Sequence, residues 1–218
     1  MCERPGTMTA MRGALIVCVL AGTAHADVDW GRGLVTAEGV GIADRHAPNP
    51  AVARGTSRRG AEDAARAKLA KAIAALPVAT GGTVADKAKD AAVKARLDRA
   101  VAQAIAVEAE PETDGAWRVT MGLPVEAIRQ AIGDGSRQVP ASGDPASEPV
   151  VMIVDGVKAK PAIGWTIGDA RAPTVWVKDL PAWAKDASRV TATSAANGRI
   201  EVAGIVGNAA TVYVIVTP

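Results

Sequence analysis

The stretch from Asn49 to Leu76, NPAVARGTSRRGAEDAARAKLAKAIAAL, constrains the fold more than any other part of the chain. Asn49 suits a helix N-cap, where a short polar side chain accepts from an orphan backbone N–H, and Pro50 suits the first helical turn. Pro77 disfavours helical backbone at Leu76 and ends the element. Between them Ala61, Ala65, Leu69, Ala72, Ile73 and Leu76 recur at helical spacing, which predicts one long helix with a single apolar stripe. That stripe must be covered, and the strand-like segments on either side are its natural partner.

Ahead of the helix, Trp30 to Ile42 reads as a glycine-softened strand. Leu34, Thr36, Glu38 and Val40 fall on one parity; Val35, Ala37, Gly39 and Gly41 fall on the other, a face of small residues that a helix can approach closely. Gly39-Val40-Gly41 lacks the third glycine and the following helix of a dinucleotide-binding loop. Beyond Leu76, Pro77 to Gly82 is a turn, and Thr83 with Asp86 forms a capping-box pattern. A second helix is predicted from Val84 to Ala106, with Val93, Leu97, Val101, Ala104 and Ile105 inward and an Asp90–Lys94 pair outward. Glu62 and Arg66 make a similar pair on the first helix. Glu108 to Leu123 is a hairpin turning at Asp114-Gly115, with Trp117, Val119 and Met121 on one face. Pro124 opens a short third helix through Ile132, with Val125, Ile128 and Ile132 inward.

The predicted fold class is α+β: a small antiparallel sheet packed by two long helices and one short helix over residues 27–132, followed by a small all-β domain. Residues 133–149 are rich in Gly, Pro, Ser and Asp and read as a polar linker. In residues 150–218, strands are predicted at Val150–Val154, Pro173–Lys178, Arg189–Thr193, Arg199–Val206 and Thr211–Val216. Asn197-Gly198 and Gly207-Asn208 are tight turns, and a sandwich or barrel is expected.

Residues 1–26 read as a secretory signal: Arg12, an apolar run from Ala14 to Leu20 too short to span a bilayer, then Ala24-His25-Ala26 as the cleavage pattern. Met8 or Met11 can equally serve as the start. Cleavage after Ala26 removes both Cys2 and Cys18, which predicts a thiol-free exported chain without a transmembrane span. Bulky Val17 before Cys18 argues against lipid attachment there.

Of 25 basic and 23 acidic residues, Arg4, Arg12 and Glu3 belong to the leader, so the remaining charges nearly cancel. That argues against a nucleic-acid partner, which calls for a basic face. Arg54, Arg58 and Arg59 crowd the first half of the long helix, either as an anion-binding cluster or, at this charge balance, as a solvated face. Trp165, Trp176 and Trp183 are the other interaction candidates. They belong either to a binding surface or to a core that needs bulk in a chain with no Phe, and core is the better fit. His46 is the one histidine beyond the leader and lies in a loop, so no catalytic, cofactor or metal residues are expected. Asp155, Asp169, Asp179 and Asp186 each fall near turns, without the pattern of a glycosidase pair.

The run Arg58-Arg59-Gly60-Ala61-Glu62-Asp63-Ala64-Ala65-Arg66-Ala67-Lys68-Leu69, followed by Thr83-Val84-Ala85-Asp86, is similar to a pattern in the Lpp-twenty-type bacterial envelope lipoproteins. It also resembles the N-terminal domain of the flagellar assembly protein T. The hairpin Asp114-Gly115-Ala116-Trp117-Arg118-Val119, closing on Leu123-Pro124, fits the same pattern, and Ile153-Val154-Asp155-Gly156 through Pro161-Ala162 looks like a worn second segment. Two departures stand out: the lipobox cysteine is absent, and Gly60 occupies a usually apolar helix position. The resemblance implies an exported, non-enzymatic accessory of the bacterial envelope, bound to an envelope partner or to itself, in a flagellar or outer-membrane assembly. The alternative is a soluble periplasmic binder of a glycan or small ligand through the Trp-bearing C-terminal part.

Overall fold

The structure, a computed structural model, describes residues 27–133, 151–204 and 211–217. The expected leader with Cys2 and Cys18, the polar linker from residue 134 onward and the Gly207-Asn208 turn lie outside the described residues.

The fold is α+β. Strands β1 (Asp27–Asp29) and β2 (Leu34–Gly41) precede helices α1 (Pro50–Ala74), α2 (Val84–Lys87) and α3 (Ala91–Ala102). Strands β3 (Ile105–Pro111) and β4 (Trp117–Pro124) follow, and then helix α4 (Val125–Ile132). The four strands form an antiparallel sheet in the order β1-β2-β4-β3.

Helix α1 starts where its cap lies: the Asn49 side chain accepts from the Val52 N–H at 3.0 Å. Ser57, Ala61, Ala65, Leu69 and Ile73 are its buried stripe, one residue per turn. They lie on the face of β2 and β4 made by Val35, Ala37, Val119, Met121 and Leu123, and burying Leu69 alone contributes about 2 kcal/mol. At the α1 N-terminal half the packing is backbone on backbone. A Cβ on Gly39 would lie 2.1 Å from the Ala61 carbonyl oxygen, and one on Gly41 would lie 1.8 Å from that of Ser57. Glycine is therefore required at both positions, and the Ser57 hydroxyl donates to the Gly41 carbonyl at 2.6 Å.

The expected second long helix is broken in two. The Thr83–Asp86 capping box forms as predicted, yet it opens a single turn, α2. Asp90 then caps a new helix, accepting from the N–H groups of Ala92 at 2.8 Å and Val93 at 3.1 Å. With its carboxylate turned onto the backbone, Asp90 does not pair with Lys94, which instead bridges to Asp98. Ile105 and Ala106 leave the helix for the sheet, where they pair with Gly122 and Met121 of β4. The hairpin turns at Gly115, which has a positive φ of 83°, and α4 opens directly after Pro124.

The remaining strands are β5 (Val151–Asp155), β6 (Thr166–Ile167), β7 (Thr174–Val177), β8 (Ser188–Ala196), β9 (Arg199–Ala203) and β10 (Val212–Val216). In place of the expected sandwich or barrel they make one sheet, in the order β6-β9-β8-β5-β10-β7. Only the β8–β9 hairpin is antiparallel, and it turns on Asn197 and Gly198, both with positive φ. The other pairings are parallel. Central strands β5 and β10 are buried on both faces, Ile153 and Val214 on one and Val154, Tyr213 and Ile215 on the other. Two-sided burial is what their uninterrupted apolar runs require.

The two sheets meet through main chain. Val78 bridges to Ile163, whose N–H donates to Pro77 at 2.9 Å and whose carbonyl accepts from Ala79 at 2.8 Å. Ile163 is buried in the core of the first sheet. In the other direction Trp30 packs against both cores, and its carbonyl accepts from the Trp176 N–H at 3.0 Å. No helix among the described residues is long and apolar enough to cross a membrane.

Candidate functional site

The arginines singled out in the sequence do not converge. Arg54, Arg58 and Arg59 are exposed along α1. Arg58 is held by Glu62 at 3.2 Å and lies over the Trp117 ring, 5.3 Å from its centroid. The expected Glu62–Arg66 pair is present at 3.7 Å.

The three tryptophans part company. Trp165 and Trp176 are 7% and 4% exposed, with ring centroids 6.2 Å apart, and supply the bulk of the second core. Their indole N–H groups find no hydrogen-bond acceptor among the described residues. Trp183 is 60% exposed, on a short 3₁₀ turn (Ala182–Ala184) packed on β5. Of the carboxylates weighed as acids, Asp155 is paired with Arg189 at 3.1 Å and Asp169 with Arg199 at 2.9 Å. Asp179 and Asp186 are exposed, as is His46.

The structure brings together residues that the sequence reading did not connect. A cleft of about 780 Å³ lies where the two sheets meet. One wall is the turn after α1 with Val78 and Thr80, Lys87 at the end of α2, and Arg129, Gln130 and Ile132 of α4. The opposite wall is Trp165, Thr166, Asp169 and Arg171 around β6, with Asn197, Gly198 and Arg199 from the β8–β9 turn. The walls are set by turn geometry. Gly198 sits so tightly on the first sheet's turn that a Cβ there would be 2.9 Å from Thr80 Cγ2. The Thr166 N–H donates to the Gly198 carbonyl at 2.9 Å, tying β6 to the same turn.

Arg129 and Arg199 in the cleft are pre-oriented. Arg129 is clasped by Glu126 through two hydrogen bonds, Nε at 2.7 Å and Nη2 at 2.6 Å, and Gln130 donates to the same carboxylate at 2.9 Å. Arg199 bridges Glu201 and Asp169, and these contacts, Glu201 first, hold its proton more tightly than usual. Lys87 is exposed and has no ion-pair partner among the described residues.

A second feature is the outer face of the first sheet. Gly122 leaves a hollow there; the Val107 and Leu34 side chains lie 2.9 and 3.4 Å from where its Cβ would be. Ile105, 61% exposed, and Val107, 46% exposed, stand beside them on edge strand β3. At the far end, Arg118 bridges Glu38 and Glu112, both at 2.7 Å. No described element covers this face. Edge pairing is restrained by the bulge between Ala106 and Glu108, by Glu108 and Glu110, and by Pro111 at the strand's end.

No protein-family model matches the chain, and no curated protein matches it in sequence.

Proposed function

We propose that the chain is an exported, non-enzymatic interaction module of the bacterial envelope, an accessory to a flagellar or outer-membrane assembly. The observation that supports this reading best is the uncovered outer face of the first sheet. Leu34, Ile105 and Val107 form an apolar patch over Gly122, and a patch of that kind bordered by fixed charges is the usual anatomy of a protein-docking surface. The ion-paired Arg118, Glu38 and Glu112 supply the polar rim. Its occupant, in this reading, is an envelope protein, in keeping with the motif resemblance and the leader pattern.

The test is capture from envelope fractions with the chain from Asp27 onward as bait, beside the double variant Ile105→Lys, Val107→Lys. Both side chains are substantially exposed, so the variant should melt within a few degrees of the parent. The expected result is a discrete envelope partner on the parent and a loss of most of it on the variant. Equal recovery on both, or recovery of the bait's own copies alone, would reject the reading.

A further inference from the structure

Resting on the reading of the first sheet's outer face as a docking surface, we propose that its occupant is a basic amphipathic helix, one whose apolar stripe is flanked by lysines or arginines.

The strand register decides which charges surround the apolar patch. Directly opposed residues on neighbouring strands point to the same side of a sheet. Glu38, Thr120 and Glu108 form one such row across β2, β4 and β3, and Val40, Arg118 and Glu110 form the next. On β1, Asp27 is opposite Thr36 and Asp29 is opposite Leu34, so both carboxylates belong to this face. The adjoining turns add Arg32, bridged to Asp29 at 3.7 Å, and Glu112, bridged to Arg118 at 2.7 Å. Two cations thus stand against six carboxylates, a balance of −4, or −3 with the α-amino group of a chain that starts at Asp27.

Ion pairing answers only part of this charge. Arg32 serves Asp29, and Arg118 is shared by Glu38 and Glu112. Glu108 and Glu110 are exposed and have no ion-pair partner among the described residues. They follow Ile105 and Val107 directly along the edge strand, on the same side of the sheet. An anionic partner here would meet like charge, which costs affinity. A lysine or arginine laid beside Glu108 and Glu110 gains ion pairs without displacing any that the free protein holds. Nucleic acid and anionic lipid are turned away by the same repulsion.

The width of the patch selects a helix. Leu34, Gly122 and Ile105 lie on the adjacent strands β2, β4 and β3, so the patch spans two interstrand spacings, about 10 Å. That is the girth of one α-helix with its side chains. Asp27 and Asp29 on one border and Glu108 and Glu110 on the other then face the two flanks of the helix's apolar stripe, where its cations belong.

Fluorescence anisotropy of the chain from Asp27 onward with dye-labelled peptides tests this. The probes are an amphipathic helical peptide of leucine and lysine, its twin of leucine and glutamate, and a lysine-only peptide. The leucine–lysine peptide should bind saturably, the glutamate twin should not bind, and the lysine-only peptide should bind more weakly for want of the apolar contact. Glu108→Lys with Glu110→Lys should weaken the leucine–lysine peptide by roughly tenfold or more, while the new lysines keep the edge strand charged. Asp63→Lys with Asp98→Lys, the same charge change at exposed positions on α1 and α3, should leave it unchanged. All four positions are exposed, so both double variants should melt close to the parent. The proposal is overturned if the leucine–lysine peptide fails to bind at up to about 1 mM, if the glutamate twin binds as well, or if the two double variants weaken binding alike. An envelope partner lost on Ile105→Lys, Val107→Lys but kept on Glu108→Lys, Glu110→Lys would leave the docking surface in place and overturn its basic occupant alone. Specific binding of the leucine–lysine peptide with no envelope partner recovered would uphold the occupant's chemistry while the envelope reading falls.

Discussion

A methyl group on Gly41 would occupy the same space as the carbonyl oxygen of Ser57, and one on Gly39 would collide with that of Ala61. Neither obstacle is a flexible side-chain tip; both belong to helical backbone, so relief requires moving α1 off the sheet. Gly41→Ala should therefore cost about 3 kcal/mol, at the upper end for overpacking, read as a fall in the urea midpoint. A loss below about 0.5 kcal/mol, the scale of ordinary surface substitutions, would mean that α1 does not lie this close to β2. The alternation of Val35, Ala37, Gly39 and Gly41 made these glycines legible as a packing face in the sequence. Ser57 was not legible: nothing local distinguishes it from the exposed Thr56, and only the Gly41 carbonyl opposite explains its burial.

Among the elements, α2 and α3 show how caps divide what periodicity alone would join. Val93, Leu97 and Val101 do recur at helical spacing, but Asp86 and Asp90 each satisfy N-terminal N–H groups, so two helix starts lie within one apolar stripe. Thr83→Ala should cost about 1 kcal/mol, the usual worth of an N-cap hydroxyl. The same region carries a pH dependence. The Lys89 ammonium, and after it the Thr83 N–H and hydroxyl, hold the Asp86 carboxyl at about 2 instead of the usual 3.8. The Val93 and Ala92 N–H groups lower that of Asp90 in the same direction. A folded value below the unfolded one means that the stabilisation is fully present above pH 3.8 and is lost as the pH falls toward 2. Far-UV circular dichroism should show helix loss over that window, and Asp86→Asn should shrink the pH-dependent part. A variant curve that superimposes on the parent's would remove Asp86 from the account.

For the whole molecule, the joint between the sheets carries the most consequence. Ile163 belongs to the second half of the chain, yet its side chain is buried in the first core and its backbone completes a bridge to Val78. Ile163→Ala should therefore cost about 2–5 kcal/mol, as for other buried truncations, and should lower the unfolding midpoint of both sheets together. Followed by tryptophan fluorescence and by circular dichroism, the parent should give coincident transitions. A variant that loses midpoint in one probe alone would show the sheets to be energetically separate. The cleft between the sheets depends on the same joint, since its walls are brought into register by the Val78–Ile163 bridge and by Gly198 seated on Thr80.

What the sequence determined by itself is local. The Asn49 cap, the Thr83–Asp86 box, the Asp114-Gly115 and Asn197-Gly198 turns and the α1 stripe all involve partners within a few residues, so their chemistry can be read along the chain. The runs VMIVD and VYVIV carried a further signal, since strands apolar without alternation belong inside a parallel sheet. Which strands would pair, and that one six-stranded sheet would form in place of a sandwich, was decided by tertiary structure. So was the separation of Trp183 from the buried Trp165 and Trp176, because burial depends on what packs above a residue and not on its type. The meeting of Lys87, Arg129, Arg171 and Arg199 around one cleft was decided there too. No sequence spacing links them; two folded sheets, docked through a few backbone hydrogen bonds, place them face to face.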